Sequence, residues 1–144
     1  MNVISIPVDK IDSVWILVKK YIDDALLYSG GHNDSDFVHK MLKENKMQLW
    51  VIWDDSKKTI EENLNGVVVT EIIQRKYTKA CNIYILTGKN RQKWQHLVSV
   101  IEDFAKQNNC NIMELIARPG WQKILKNYNY KRTHIVLEKI INKQ

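Results

Sequence analysis

The chain has 144 residues with 22 Lys plus Arg against 16 Asp plus Glu, a formal charge of +6, and 44% apolar and 26% charged residues. That size and balance suit one domain, residues 1–144, whose core needs no disulfide or metal, and they exclude a disordered chain. Nothing approaches the roughly 20 apolar residues of a membrane span, and MNVISIPVDKID lacks the basic-then-apolar layout of a leader, so a cytoplasmic protein with no membrane partner is expected.

Ile4 to Val8, ending near Pro7, reads as an edge strand. Asp9 or Asp12 is placed to cap a helix with apolar residues at Ile11, Val14, Trp15, Val18, Ile22, Ala25 and Leu26, and Gly30-Gly31 to end it. Asp34-Ser35-Asp36 caps a second, short helix carrying Phe37, Val38, Met41 and Leu42. Gln48 to Trp53 and Gly66 to Gln74 are strands joined by a polar loop, an antiparallel pair.

A third strand, Cys81 to Leu86, is broken by Gly88. Apolar residues then recur at Trp94, Leu97, Val98, Ile101, Phe104 and Ala105, so a strand, a turn and a helix follow one another. The turn, Thr87 to Lys93, gathers polar and cationic groups where the helix is expected to begin, a natural seat for an anion. Ile112 to Ala117 reads as a parallel strand completing a β-α-β unit. Pro119-Gly120 opens a helix through Trp121, Ile124, Leu125 and Tyr128, and Thr133 to Ile141 reads as a last strand. The order β-α-α-β-β-β-α-β-α-β describes an α/β chain with a mixed sheet and helices on both faces.

Lysines are spread over the whole chain, so the charge reads as a solvated surface and nucleic acid is disfavoured as a partner. Cys81 and Cys110 follow no pattern and read as free thiols. His32, His39, His96 and His134 have no metal-site spacing, so no metal is expected.

The element order with its phosphate-ready turn resembles the GNAT fold of acetyl-CoA-dependent N-acyltransferases, and most nearly the GNAT-like proteins of tailed phages and prophages. The resemblance runs over residues 11 to 141. It is carried by Met47 to Asp55, Val69 to Gln74, Trp94, Ile101 to Ala105 before Cys110, Met113-Glu114, Arg118 to Leu125, Tyr128, Tyr130 and Val136 to Lys139. It implies acetyl-CoA as cofactor, bound by Leu86, Gly88, Lys89, Asn90, Arg91, Gln92, Lys93 and Arg118, and a small-molecule or protein amine as acceptor. The alternative, raised by Gln92, Trp94 and Leu125 at functional positions of the family, is an inactive virion-associated or host-interaction protein, partnered by a phage structural protein or a host protein and located in the infected cell or the virion.

Two departures from the GNAT pattern bear on activity. The glycine positions of the usual Arg/Gln-x-x-Gly-x-Gly/Ala turn fall on Gln92 and Trp94, whose side chains would crowd a pyrophosphate while Lys89, Arg91 and Lys93 supply charge instead. The tyrosine that serves as general acid falls on Leu125, with Tyr128 one helical turn away as the substitute. Glu71, set in an apolar strand, is the candidate general base, with a solvent-facing carboxylate as the other reading and Glu114 as a second candidate. Arg118 stands at a parallel strand's end, where open α/β sheets bind ligands, Gly120 permits close approach, and Trp121 serves as core or as a ligand platform.

Overall fold

A computed structural model of the chain describes residues 1–27, 33–117 and 119–142. Strands β1 (Asn2–Ile6), β2 (Gln48–Trp53), β3 (Leu64–Gln74), β4 (Lys79–Gly88) and β5 (Ile112–Leu115) form one sheet in that spatial order. The first three pairings are antiparallel and the fourth is parallel, as the hairpin and β-α-β patterns require. The helices are α1 (Ile11–Leu26), α2 (Ser35–Lys43), α3 (Ile60–Asn63), α4 (Val98–Gln107) and α5 (Pro119–Leu125).

Strand alternation divides the interior between the two faces of the sheet. Val67 and Val69 of β3 point to one face with Leu49 and Val51, under Ile11, Val18, Ile22 and Leu26 of α1 and Val38 and Leu42 of α2. Val68 points to the other with Trp50, Cys81 and Ile83, under Val98, Ile101 and Ala105 of α4. Each fully buried aliphatic contributes on the order of 1.5–3 kcal/mol, so these two layers hold the sheet between its helices. Trp50 ties the second layer together: its ring meets Phe104 edge-on at 5.0 Å, and its Nε1 donates to Thr70 Oγ1 at 3.0 Å.

Several boundaries depart from the sequence reading. The edge strand lies at Asn2–Ile6, because Pro7 closes it and its carbonyl accepts from Lys10 N at 2.9 Å to start a 3-10 turn. Neither Asp9 nor Asp12 caps α1; Lys10 holds the cap position without a side-chain bond, and Asp12 instead pairs with His39 and Lys43 of α2. Asp34 does cap α2, accepting from Phe37 N at 2.9 Å. Gly30-Gly31 lies outside the described residues.

The polar connection after β2 holds the unexpected α3. Thr59 accepts from Glu62 N at 3.2 Å and its hydroxyl donates to the Glu62 carboxylate at 3.1 Å, a reciprocal cap. The largest departure comes after α5, where residues 131–142 form neither helix nor strand. The expected strand Thr133–Ile141 is absent: among the described residues no strand pairs with that segment. Among the described residues, no helix is long and apolar enough to cross a membrane.

Candidate functional site

Two β-bulges shape the region around the cationic turn. In the β3–β4 ladder Val69 faces Ile85 and Thr70 faces Ile83, so Tyr84 has no partner on β3. The extra residue reverses the alternation of β4: Cys81 and Ile83 point to the α4 face, whereas Ile85 points to the α1–α2 face. Pairing with β5 ends at the same place, at Ile83 opposite Leu115, while β4 continues to Gly88. The parallel strands therefore part at Tyr84, and a fork opens between them.

The second bulge is Asn65, passed over between the pairs Trp53–Leu64 and Ile52–Gly66. Asn65 is buried, its carbonyl accepts from Lys89 N at 2.8 Å, and its side-chain oxygen accepts from Asn90 Nδ2 at 2.9 Å. The turn is thus fastened to β3. Gly88 makes this possible: its φ is +151°, and a Cβ there would stand 2.2 Å from the Asn65 carbonyl oxygen. Asn90 follows in the left-handed region at φ 56°.

Beyond Asn90 the chain makes two 3-10 turns, Arg91–Lys93 and Gln95–Leu97, and α4 starts only at Val98. Lys93 N and Trp94 N donate to Asn90 O and Arg91 O at 2.9 and 3.1 Å, so these amides are engaged within the turn. An anion held here would rest mainly on side chains. Lys89, Asn90, Gln92 and Lys93 are exposed, and Lys89 Nζ donates to the Glu61 carbonyl at 3.0 Å. Leu86 is half-buried against the α4-side core.

Trp94 does not project over the turn as the glycine comparison suggests. Its indole is buried beneath it, with Nε1 donating to Lys89 O at 2.8 Å and the ring edge 3.1 Å from where a Cβ on Gly66 would stand. The ring lies 6.2 Å from that of Trp121, and the Arg91 guanidinium covers Trp121 at 5.0 Å. These three residues bridge the turn to α5. Arg118, the remaining cation assigned to the cofactor, lies outside the described residues. Gly120 admits no close neighbour, since a Cβ would meet nothing within 4 Å; it serves as helix punctuation.

Glu71 is half-buried, and its register partner Asn82 donates to its carboxylate at 2.9 Å. Asn82 pairs in turn with Glu114 on β5, and Arg75 grips Glu114 with two bonds of 2.5 and 3.1 Å. Glu71, Asn82 and Glu114 thus form a polar row across three strands, one residue before the last β4–β5 pair at Ile83–Leu115. Glu114 is neutralised by Arg75, whose guanidinium it raises further, whereas the hydrogen-bond partner of Glu71 among the described residues is a neutral amide.

Leu125, which the resemblance sets where the general acid is expected, is buried. Tyr128 sits half-buried in the 3-10 turn after α5. The nearby Tyr130 is committed elsewhere, donating to Glu102 at 2.6 Å, and burial together with that carboxylate pushes its phenol above the usual range. Both cysteines are free, and burial, with Cys110 adding to it, pushes the Cys81 thiol up to about 12. No group of histidines, cysteines and carboxylates that could hold a metal occurs among the described residues. A concavity of about 530 Å³ between Lys46, Gln48, Ile72 and Phe104 lies away from the fork.

Sequence reasoning missed Asn65, Asn82 and Tyr84. The polar residues Asn65 and Asn82 interrupting apolar strands were a usable signal. Tyr84 was not, since a bulge leaves no mark in a run of β-formers.

No family model matches the sequence. Among solved structures, the chain superimposes on one described as a probable acetyltransferase with a TM-score of 0.70 at 13% identity, covering 100% of this chain and 99% of the other. It also superimposes on glucosamine-6-phosphate N-acetyltransferase from Arabidopsis thaliana with a TM-score of 0.64 at 13% identity, covering 98% of both. The chain has the GNAT fold. Within that GNAT frame the fork, the bulge at Tyr84 and the turn at Gly88–Lys93 fall on consecutive parts of one strand-turn-helix unit. In sequence the chain is 28% identical over 118 residues to the initiator protein NS1 of Aedes albopictus densovirus. It covers 13% of that protein's length, and the match is to an insect virus, not a tailed phage.

Proposed function

We propose that this GNAT-fold chain is an N-acyltransferase that binds acetyl-CoA in the fork between β4 and β5 and transfers acetyl to an amine. The observation that carries the reading is the fork itself. β4 runs on to Gly88 after its last pair with β5 at Ile83, leaving one strand edge free beside a cationic turn. The donor set suits a diphosphate through side chains: Lys89, Asn90, Gln92 and Lys93 are exposed, Arg91 is close by, and Arg118 follows β5 in sequence. Gly88 and Leu86 would form the wall along the free edge.

Acetyl-CoA, when bound, supplies the acetyl group as a thioester already open to attack by an amine. Glu71 takes the proton that the acceptor nitrogen gives up as it bonds to the carbonyl carbon, and Asn82 holds that carboxylate in place. Tyr128 would supply a proton to the sulfur released when the carbon–sulfur bond breaks. Positioning does most of the work, with no covalent link to the protein. The acceptor is a small-molecule or protein amine.

Calorimetry with acetyl-CoA and release of free thiol with a panel of amines test this. A Lys89→Ala, Lys93→Ala double variant should bind about 10-fold or more weakly. Glu71→Gln should keep binding and lose about 100-fold in turnover. No binding at millimolar acetyl-CoA would overturn the reading. The second reading, a phage virion-associated or host-interaction protein that keeps the scaffold without turnover, is favoured by the Trp94–Trp121–Arg91 bridge between the turn and α5. It predicts that no amine is acetylated, and that the chain co-purifies with particles or with a host protein.

A further inference from the structure

The lysines are dispersed along the chain, but its excess of positive charge is not. Between Thr87 and Ile101 lie three Lys or Arg, and between Leu115 and Leu137 five more, with no Asp or Glu in either stretch. Taken from the total of 22, these eight leave 14 cations against 16 acidic residues, so the rest of the chain is slightly acidic. Elsewhere cations are answered by carboxylates, as Lys19 is by Asp23, Lys43 by Asp12 and Arg75 by Glu114. The two stretches are different. Among the described residues, every ion pair lies outside them.

The fold brings the two stretches together. The first is the turn after β4, with Lys89 and Lys93 exposed; the second runs through α5, with Lys123 and Lys126 exposed, to Lys131 and Arg132 just beyond. Their junction is aromatic. The Trp94 ring, buried under the turn, lies 6.2 Å from that of Trp121, and the Arg91 guanidinium stands over Trp121 at 5.0 Å. Glu102 of α4 reaches this region, but it is occupied by the Tyr130 hydroxyl at 2.6 Å. The result is a one-signed surface that neither stretch makes alone, on a molecule whose remainder is close to neutral.

We propose that this surface binds single-stranded nucleic acid, with the turn and the α5 segment taking phosphates and the aromatic residues set among them taking bases. Charge alone would suit any polyanion. The aromatics decide the class: Trp121 and Tyr128 are half-buried, Lys123 and Lys126 lie between them in the chain, and a base stacks on an indole, a phenol or a guanidinium plane whatever its identity. A single strand fits better than a duplex, because α5 has only 7 residues and gives no long helix to lie in a groove. The binding is separate from acetyl transfer. Lys123, Lys126, Lys131 and Arg132 are not among the residues assigned to acetyl-CoA, so either activity can fail without the other.

Fluorescence anisotropy with labelled oligothymidylate and oligouridylate of about 12 nucleotides tests this on the full chain. At least one strand should bind, with a log–log salt slope of about −3.5, as for about five phosphates; the ratio of the two affinities tells which sugar the surface takes. The variant Lys126→Gln, Lys131→Gln, Arg132→Gln should bind about 10-fold or more weakly near 0.1 M salt and lose about 2 units of slope, while its calorimetric binding of acetyl-CoA matches the wild type. The charge-matched control Lys20→Gln, Lys57→Gln, Lys58→Gln should change the affinity by less than about 2-fold. All six positions are exposed, so circular dichroism should be that of the wild type in both variants. No binding of either strand at about 50 mM salt would overturn the proposal, as would an equal loss in the control. So would polyglutamate displacing the strand as well as unlabelled oligonucleotide does, or a duplex of the same length binding more tightly than the single strand.

Discussion

Replacing Gly88 by alanine should cost far more than the same change at Gly120, and the difference isolates what fastens the turn to the sheet. At Gly88 the φ of +151° is one that side chains rarely adopt, and holding alanine there costs about 1–3 kcal/mol. The new Cβ would also lie 2.2 Å from Asn65 O and 2.6 Å from the Gly66 Cα. Both are backbone atoms of β3 that cannot swing aside, so the strands must separate. That movement stretches the 2.8 Å bond from Lys89 N to Asn65 O, worth about 1 kcal/mol net. The sum is about 3 kcal/mol or more, or a fall in Tm of roughly 6–12 °C for a chain of this length. At Gly120 a Cβ meets nothing within 4 Å, so alanine inside α5 should stabilise by about 0.5–1 kcal/mol. Urea unfolding with an unchanged m-value reads both. A Gly88→Ala loss below about 1 kcal/mol, or an equal loss at Gly120, would refute the claim that close approach of β3 and β4 holds the turn.

Three further outcomes follow from buried or capping groups. Thr70→Val should cost about 2–3 kcal/mol in urea unfolding, because Trp50 Nε1 and Gln48 Oε1 both lose their buried partner, whereas Thr70→Ser should keep most of it. Thr59→Ala should cost about 1 kcal/mol by removing the reciprocal cap of α3, with amide exchange rising first at Glu62. Stability should also decline at alkaline pH. Cys81 is raised from 9.0 to about 12, and Tyr130 is raised from 10.0, so the unfolded chain sheds these protons first. Their contribution is therefore complete below about pH 9 and is lost as pH rises toward the folded values. Between about pH 9 and 10 the slope is chiefly that of Cys81, at most roughly 1.4 kcal/mol per pH unit, and Cys81→Ala should flatten it in unfolding curves taken at each pH.

The fold was legible because its determinants are local and periodic. The α1 stripe from Ile11 to Leu26, the Asp34 cap and the β-formers of β2 to β4 each announce an element, and a helix between two strands fixes a parallel pair. The site was legible only as a list of charges. What arranges those charges is a pair of one-residue insertions, Tyr84 and Asn65, and an inserted residue does not disturb composition or local propensity. Trp94 shows the cost of reading position without direction: an indole at a glycine site looked like an obstruction, yet it lies under the turn, where Gly66 makes room for it. The tail shows the converse. Ile135, Val136, Leu137, Ile140 and Ile141 read as a strand by residue type, but a strand is completed only by a paired edge, and residues 131–142 form neither helix nor strand.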